Sequence, residues 1–254
     1  MFSFWFSRKF PNQARKYMSD MAERFLKGEV DLKHFTPSYD PWDQRVCAAP
    51  SGDLFRVLKK GDASVVTDEI DHFTAKGIKL KSGEELEADL IITATGLDLK
   101  FFGGIDFLMD GKPFEYTDKL LYKGMMLEDA PNILMTIGYT NASWTLKADL
   151  VSEYFCRMLN YMDENGFTTF TPENHDPNIE RVDVMDLKSG YIMRKAHLMP
   201  KQGSKYPWKL DQNYIKDYFK LNYGKMDDGK LIFRKANLKI SEDELSESTT
   251  ARAE

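Results

Sequence analysis

Residues 131–166, PNILMTIGYTNASWTLKADLVSEYFCRMLNYMDENG, join a short apolar run to a long periodic one through a small polar loop. Pro131 to Gly138 reads as a buried strand, because an apolar run without alternation suits a strand covered on both faces. From about Trp144 to Asn165, Leu146, Leu150, Tyr154, Met158 and Met162 recur every four residues, with Val151, Phe155 and Leu159 beside them. That stripe predicts a helix about 33 Å long, stopped by Gly166. Strand, tight loop and long helix make half of a nucleotide-binding unit, so the expected fold is α/β with a parallel sheet.

Upstream, residues 78–96, IKLKSGEELEADLIITATG, alternate apolar and polar through Ser82-Gly83 and then become continuously apolar over Leu90 to Thr93. A solvent-facing hairpin feeding a second buried strand that ends at Gly96 is expected. Ala63 to Ile70 has the β-branched richness of a strand, giving a small antiparallel meander around Ala63 to Leu90. Asp53 reads as the N-cap of the helix LFRVLKK, closed by Gly61. In His34 to Arg45, HFTPSYDPWDQR, Pro37 and Pro41 forbid regular helix, leaving a structured loop that presents Tyr39 and Trp42. Residues 1 to about 30 read as helix broken at Pro11, aromatic with a basic fringe. Such a segment suits a connector packed on a domain or an anionic membrane surface. Beyond Thr171 the signals weaken, and SEDELSESTTARAE reads as a disordered tail.

The 254 residues, 42% apolar and 30% charged, describe a globular chain with a sizeable core. No run approaches the roughly 20 apolar residues of a membrane span. The net charge of −5 argues against wrapping a nucleic acid, although Lys188 to Lys239 carries 13 basic and 4 acidic residues. Cys47 and Cys156 are the only cysteines, without metal-ligand spacing, so neither a disulfide framework nor a metal site is expected. A reducing, cytoplasmic setting follows, with peripheral membrane contact through the amino-terminal segment left open. The start MFSFWFSRKF reverses a signal peptide's order of charge and apolar region, so no secretion is expected.

Three places carry candidate chemistry. Ala94-Thr95-Gly96 puts a hydroxyl and a Cβ-less residue at the carboxyl edge of a sheet, where α/β folds bind ligands, though a strand-ending turn is the alternative. The loop Gly138 to Ser143 leads into the long helix, and Asn141 or Ser143 can cap it or leave its N–H donors aimed at a phosphate or carbonyl. Arg45 is a fixed cation in a proline-stiffened aromatic loop, suited to a phosphate, a carboxylate or a developing anion, or simply to the surface. The four histidines are scattered without triad or metal spacing, and no GxGxxG, GxSxG or Walker loop occurs.

Together HFTPSYDPWDQR, GDASVVTDEIDHFTAKGIKLKSGEELEADLIITATGLDL and TIGYTNASWTLKADLVSEYFCRMLNYM resemble the C-terminal half of class B flavoprotein monooxygenases, nearest to Baeyer–Villiger enzymes of the ethionamide-monooxygenase kind. The likeness spans about Asp31 to Tyr214. It implies a partial FAD- and NAD(P)-binding fold: residues 1–96 as the end of an NADPH domain with connector helix and meander, 97–240 as part of the FAD domain with a basic, aromatic extension, and 241–254 as the tail. It further implies reduction of FAD by NADPH, capture of O₂ as a peroxyflavin, and oxygen transfer to a ketone, aldehyde, sulfur or nitrogen centre of a small organic substrate. By the same likeness Arg45 steadies the oxygenating anion and the nicotinamide, while Thr95, Gly96, Asn141, Trp144 and Thr145 bind cofactor. The family's two glycine fingerprints and its FxGxxxHxxxWP motif are missing, so this polypeptide alone is expected to hold FAD poorly and turn over little NADPH. The other readings are a two-dinucleotide-domain reductase, disfavoured by the lack of a cysteine pair, and a non-catalytic paralogue acting as a binding or membrane-surface module.

Overall fold

The computed structural model describes residues 2–47, 49 and 51–235. The described residues fall into two compact units, one within 2–104 and 185–197, the other within 105–184 and 198–235. The tail over 241–254 and the end of the basic block at Lys239 lie outside the described residues.

In the first unit, α1 (Phe2–Lys9) is followed by α2 (Pro11–Leu26), with Pro11 in the first turn, where its missing N–H costs nothing. Some aromatics of this segment pack inside the unit. Phe4 meets Trp42 edge-on at 5.4 Å and Phe25 stacks on Phe55 at 5.3 Å, while Ala14, Ala22 and Leu26 are buried. Trp5, Phe10, Tyr17 and Phe25 nevertheless stay exposed. Helix α3 (Asp53–Lys60) ends on left-handed Gly61 as expected, but its N-cap is Gly52. Asp53 sits inside the first turn and bonds Arg56 at 2.7 Å instead.

The meander is present as β1 (Ile70–Phe73), β2 (Gly77–Leu80) and β3 (Glu85–Glu87), antiparallel in order, with Ile78 opposite Leu86. Residues 63–69 are not strand, and β1 begins only at Ile70. The expected buried strand over Leu90 to Thr93 is irregular, with Leu90 78% and Ile92 82% exposed. A strand covered on both faces needs neighbours on both edges and a layer on each side, and the described residues supply none.

The second unit is built on α4 (Trp144–Asn165), closed by left-handed Gly166. Its buried face, Leu150, Val151, Tyr154, Met158 and Met162, packs with Tyr122, Met126, Trp208 and Leu231 into one core. Helix α5 (Tyr214–Tyr223) lies against α4, where the Arg157 guanidinium donates to the Leu221 and Gly224 carbonyls. Short antiparallel pairs complete the unit: β4 (Leu108–Met109) with β5 (Lys112–Pro113), β6 (Leu121–Tyr122) with β7 (Met126–Leu127), β8 (Thr169–Pro172) with β11 (Leu231–Arg234), and β9 (Arg181–Asp183) with β10 (Lys201–Gly203). Pro131 to Gly138 is irregular rather than strand. Two of its N–H groups reach other segments of the unit, Asn132 to the Phe170 carbonyl at 3.0 Å and Met135 to the Met125 carbonyl at 2.8 Å. The fold is thus mixed α and β with small antiparallel sheets. Among the described residues parallel pairing is confined to two isolated bridges, so the expected parallel sheet is not formed. No helix is long and apolar enough to cross a membrane among the described residues.

Candidate functional site

Of the residues singled out above, Arg45, Thr95 and Gly96 belong to the first unit and Asn141, Trp144 and Thr145 to the second.

In the first unit the proline-rich loop is held from three sides. Arg15 donates to the Pro37 and Tyr39 carbonyls at 3.1 and 3.3 Å and pairs with Asp40 at 2.7 Å. Asp43 is bridged by Arg8 at 2.7 Å and Lys188 at 3.2 Å. Its burial alone would raise the carboxyl pKa, but these two cations outweigh that and hold it below the ordinary carboxylate value. Held this way, the loop walls a cavity of about 340 Å³ lined by Arg15, Phe35, Tyr39, Trp42, Arg45 and Cys47, among others. That is the size of a small-molecule site. Trp42 sits at φ 70°, a left-handed conformation rarely adopted by a bulky residue. Its indole N–H is buried without an acceptor. Arg45 is exposed at the cavity and has no ion-pair or hydrogen-bond partner among the described residues. Thr95 and Gly96 are exposed in irregular chain and do not line it.

In the second unit the start of α4 lacks a side-chain cap. Ser143 occupies the N-cap position, but its hydroxyl bonds Thr145 Oγ1 at 2.7 Å instead of a backbone N–H. The first-turn N–H groups, with the positive end of the helix dipole, therefore remain for another acceptor. Asn141 is 9% exposed and donates through Nδ2 to the Gln212 carbonyl at 2.9 Å, leaving its buried Oδ1 without a partner. Gln212 also accepts from the Thr140 N–H at 3.0 Å. The Trp144 ring lies over Gly138, where an added Cβ would come 2.2 Å from its Cγ. Uncapped N–H donors beside one orphaned acceptor suit the flavin ring, whose pyrimidine edge alternates carbonyls with an N–H. The sequence contains no GxGxxG loop of the kind that cradles a pyrophosphate.

Beneath the helix start, Lys147 pairs with Asp217 at 2.9 Å, and Tyr139 donates to the same carboxylate at 2.7 Å. These groups line a cavity of about 20 Å³, room for roughly one water. Burial, then the bond to Asp217, raises the Tyr139 pKa, so the hydroxyl keeps its proton. Deeper still, Lys123, whose side chain is 2% exposed, pairs with Asp228 at 3.2 Å and donates to the Tyr154 hydroxyl, also at 3.2 Å. Burial lowers the Lys123 pKa against the opposing pull of Asp228. For Asp228 burial acts upward but is outweighed by Lys123, the Tyr122 hydroxyl and two backbone N–H groups, and the net shift is downward. Lys123, Lys147, Asp217 and Gln212 escaped the sequence reading because their partners lie 70 to 105 residues away, beyond any helical or strand spacing. Cys47 and Cys156 are free and exposed, and no group of metal ligands occurs among the described residues.

No family model matches the chain. It is 50% identical over 230 residues to the probable FAD-binding monooxygenase AlmA of Acinetobacter baylyi, an alignment covering 90% of this chain and 46% of that protein. It is 50% identical over 236 residues to the FAD-containing monooxygenase EthA of Mycolicibacterium smegmatis, covering 92% and 48%. With the putative FAD-containing monooxygenase MymA of Mycobacterium tuberculosis the identity is 47% over 230 residues, covering 90% and 46%. The chain spans about half the length of the curated relatives it matches. It is therefore a homologue of FAD-containing monooxygenases over nine-tenths of its own length, which bears out the resemblance carried by HFTPSYDPWDQR and TIGYTNASWTLK.

Proposed function

We propose that this chain is the C-terminal half of a FAD- and NADPH-dependent monooxygenase of Baeyer–Villiger type, and that it supplies one wall of the flavin site together with the arginine of the oxygenating centre. FAD reduced by NADPH supplies the electrons that activate O₂ for insertion of one oxygen atom into a ketone or aldehyde, or for oxidation of a sulfur or nitrogen centre. The observation that carries the reading is the start of α4, where a buried, unpartnered Asn141 Oδ1 accompanies a helix end that no side chain caps. Asn141 accepts from the flavin ring, and the first-turn N–H groups of Trp144 and Thr145 favour negative charge on it. Arg45 contributes a permanent cation where negative charge builds up. Thr95 and Gly96 belong to the cofactor-facing edge in this reading.

The test joins the chain to the remaining half of the Mycolicibacterium smegmatis relative and supplies FAD, NADPH, air and a ketone. NADPH-dependent formation of an ester is expected. Arg45→Ala should abolish it while shifting the melting midpoint little, because Arg45 is exposed and unpaired. Undiminished product from the variant would remove Arg45 from the chemistry.

A further inference from the structure

We propose that the exposed face of helix α5 docks on an anionic lipid surface, with the helix lying in the headgroup plane. The proposal concerns the second unit alone and does not rest on the oxygenation reading.

Helix α5 is inverted relative to an ordinary surface helix, which turns its charges outward and its apolar stripe to the core. Ile215, Phe219 and Tyr223 recur every four residues on one face and are 60%, 60% and 70% exposed. The one acid of the helix, Asp217, is held inward, where Lys147 pairs with it at 2.9 Å and the Tyr139 hydroxyl donates to it at 2.7 Å. Leu221, four residues on, is buried in the core. The outward face thus carries three large apolar side chains and no carboxylate. The Phe219 and Tyr223 ring centroids lie 6.1 Å apart, so these side chains join into a patch.

The surrounding charge identifies the layer that covers it. Lys216 and Lys220 lie on the helix, Lys225 follows its end, and Lys209 lines a cavity together with Lys220. Lys216 and Lys220 share Asp211, whereas Lys209 and Lys225 have no ion-pair partner among the described residues. Even with Asp211 and the exposed Asp227 counted against them, these four lysines leave the rim positive. Lysine stems run along apolar surface and carry their ammonium groups to the level of lipid phosphates. An anionic bilayer supplies both partners, hydrocarbon for the stripe and phosphates for the rim. A second copy of the chain would instead set the same lysines against each other, like charge on like. Ten residues make a helix about 15 Å long, enough to lie on a bilayer and about half the length needed to cross one.

Sedimentation of the 254-residue chain with vesicles tests the assignment. Vesicles of phosphatidylcholine with roughly a third phosphatidylglycerol should bind the chain about tenfold more tightly than phosphatidylcholine alone, and release it as salt is raised from about 0.05 to 0.5 M. Phe219→Ser together with Tyr223→Ser should weaken binding about tenfold, and Lys209→Glu together with Lys225→Glu several-fold. All four side chains are exposed, so both variants should keep the far-ultraviolet spectrum of the wild type. Tyr17→Ser together with Met21→Ser, on the exposed face of α2, should bind like the wild type. Absence of binding, equal binding to the two kinds of vesicle, wild-type binding by both α5 variants, or loss through the α2 variant alone would each overturn the proposal. So would a dimer in solution that Phe219→Ser with Tyr223→Ser turns into a monomer, because the stripe would then belong to a second copy.

Discussion

Gly138 and Trp144 form the most exacting contact at the start of α4. The indole lies where any β-carbon on residue 138 would have to stand, 2.2 Å from Trp144 Cγ. Gly138→Ala must therefore turn the ring away or shift the turn, at a cost of about 1–3 kcal/mol of overpacking. A lower melting midpoint and an altered near-ultraviolet circular dichroism are expected, and an unchanged spectrum would show the contact to be looser than this. At this scale the sequence marks the right neighbourhood but not the roles. Asn141 and Ser143 stand out as helix-cap candidates from their positions before an apolar stripe, yet neither caps: the Ser143 hydroxyl turns to Thr145, and Asn141 reaches the Gln212 carbonyl, 71 residues away. Trp42 is visible as a large ring in a proline-stiffened loop. Its left-handed backbone, its unpartnered N–H and the Phe4 ring set against it are encoded by no local pattern.

The span and stop of helix α4 were legible, because its four-residue stripe and terminal Gly166 are local signals, although Leu159, read beside the stripe, is 40% exposed. The meander was legible for the same reason, through its alternation and Ser82-Gly83 turn. Strands β8 and β11 were not, since Thr169–Pro172 and Leu231–Arg234 are too short to show a period and pair across some 60 residues. Buried ion pairs under α4 belong to the same class of hidden feature. Lys123→Met leaves Asp228 buried without its cation and should destabilise the second unit by about 3–5 kcal/mol. Adding Asp228→Asn should recover part of that loss, because the amide oxygen still accepts from the Tyr122 hydroxyl and the backbone N–H groups while the uncompensated charge is gone. Acid unfolding checks the same pair. The Asp228 pKa is lowered in the folded chain, so its contribution is present above the ordinary carboxylate value and is lost as the pH falls through the folded value. Without Lys123 that folded value rises, and acid unfolding of Lys123→Met should begin at higher pH than in the wild type. Identical acid limbs would mean that Lys123 does not hold Asp228 in its charged form.

At the scale of the whole molecule, the expected parallel sheet is the largest departure. Leu90, Ile92 and Leu97 have the composition of a buried strand end but are 78%, 82% and 62% exposed. Composition reports what a segment is suited to bury, whereas burial requires partners that the described residues do not contain. The family was legible where the fold was only partly so, since three ordered segments carried a likeness that relatives at about 50% identity bear out. The central claim is that the start of α4 faces a flavin, and the dissociation constant for FAD of the chain joined to its relative's other half tests it most directly. With Asn141→Ala, which removes the orphaned acceptor, FAD should bind about tenfold more weakly, with the far-ultraviolet spectrum of the wild type retained. Equal affinity for FAD in the wild type and the variant would contradict the assignment.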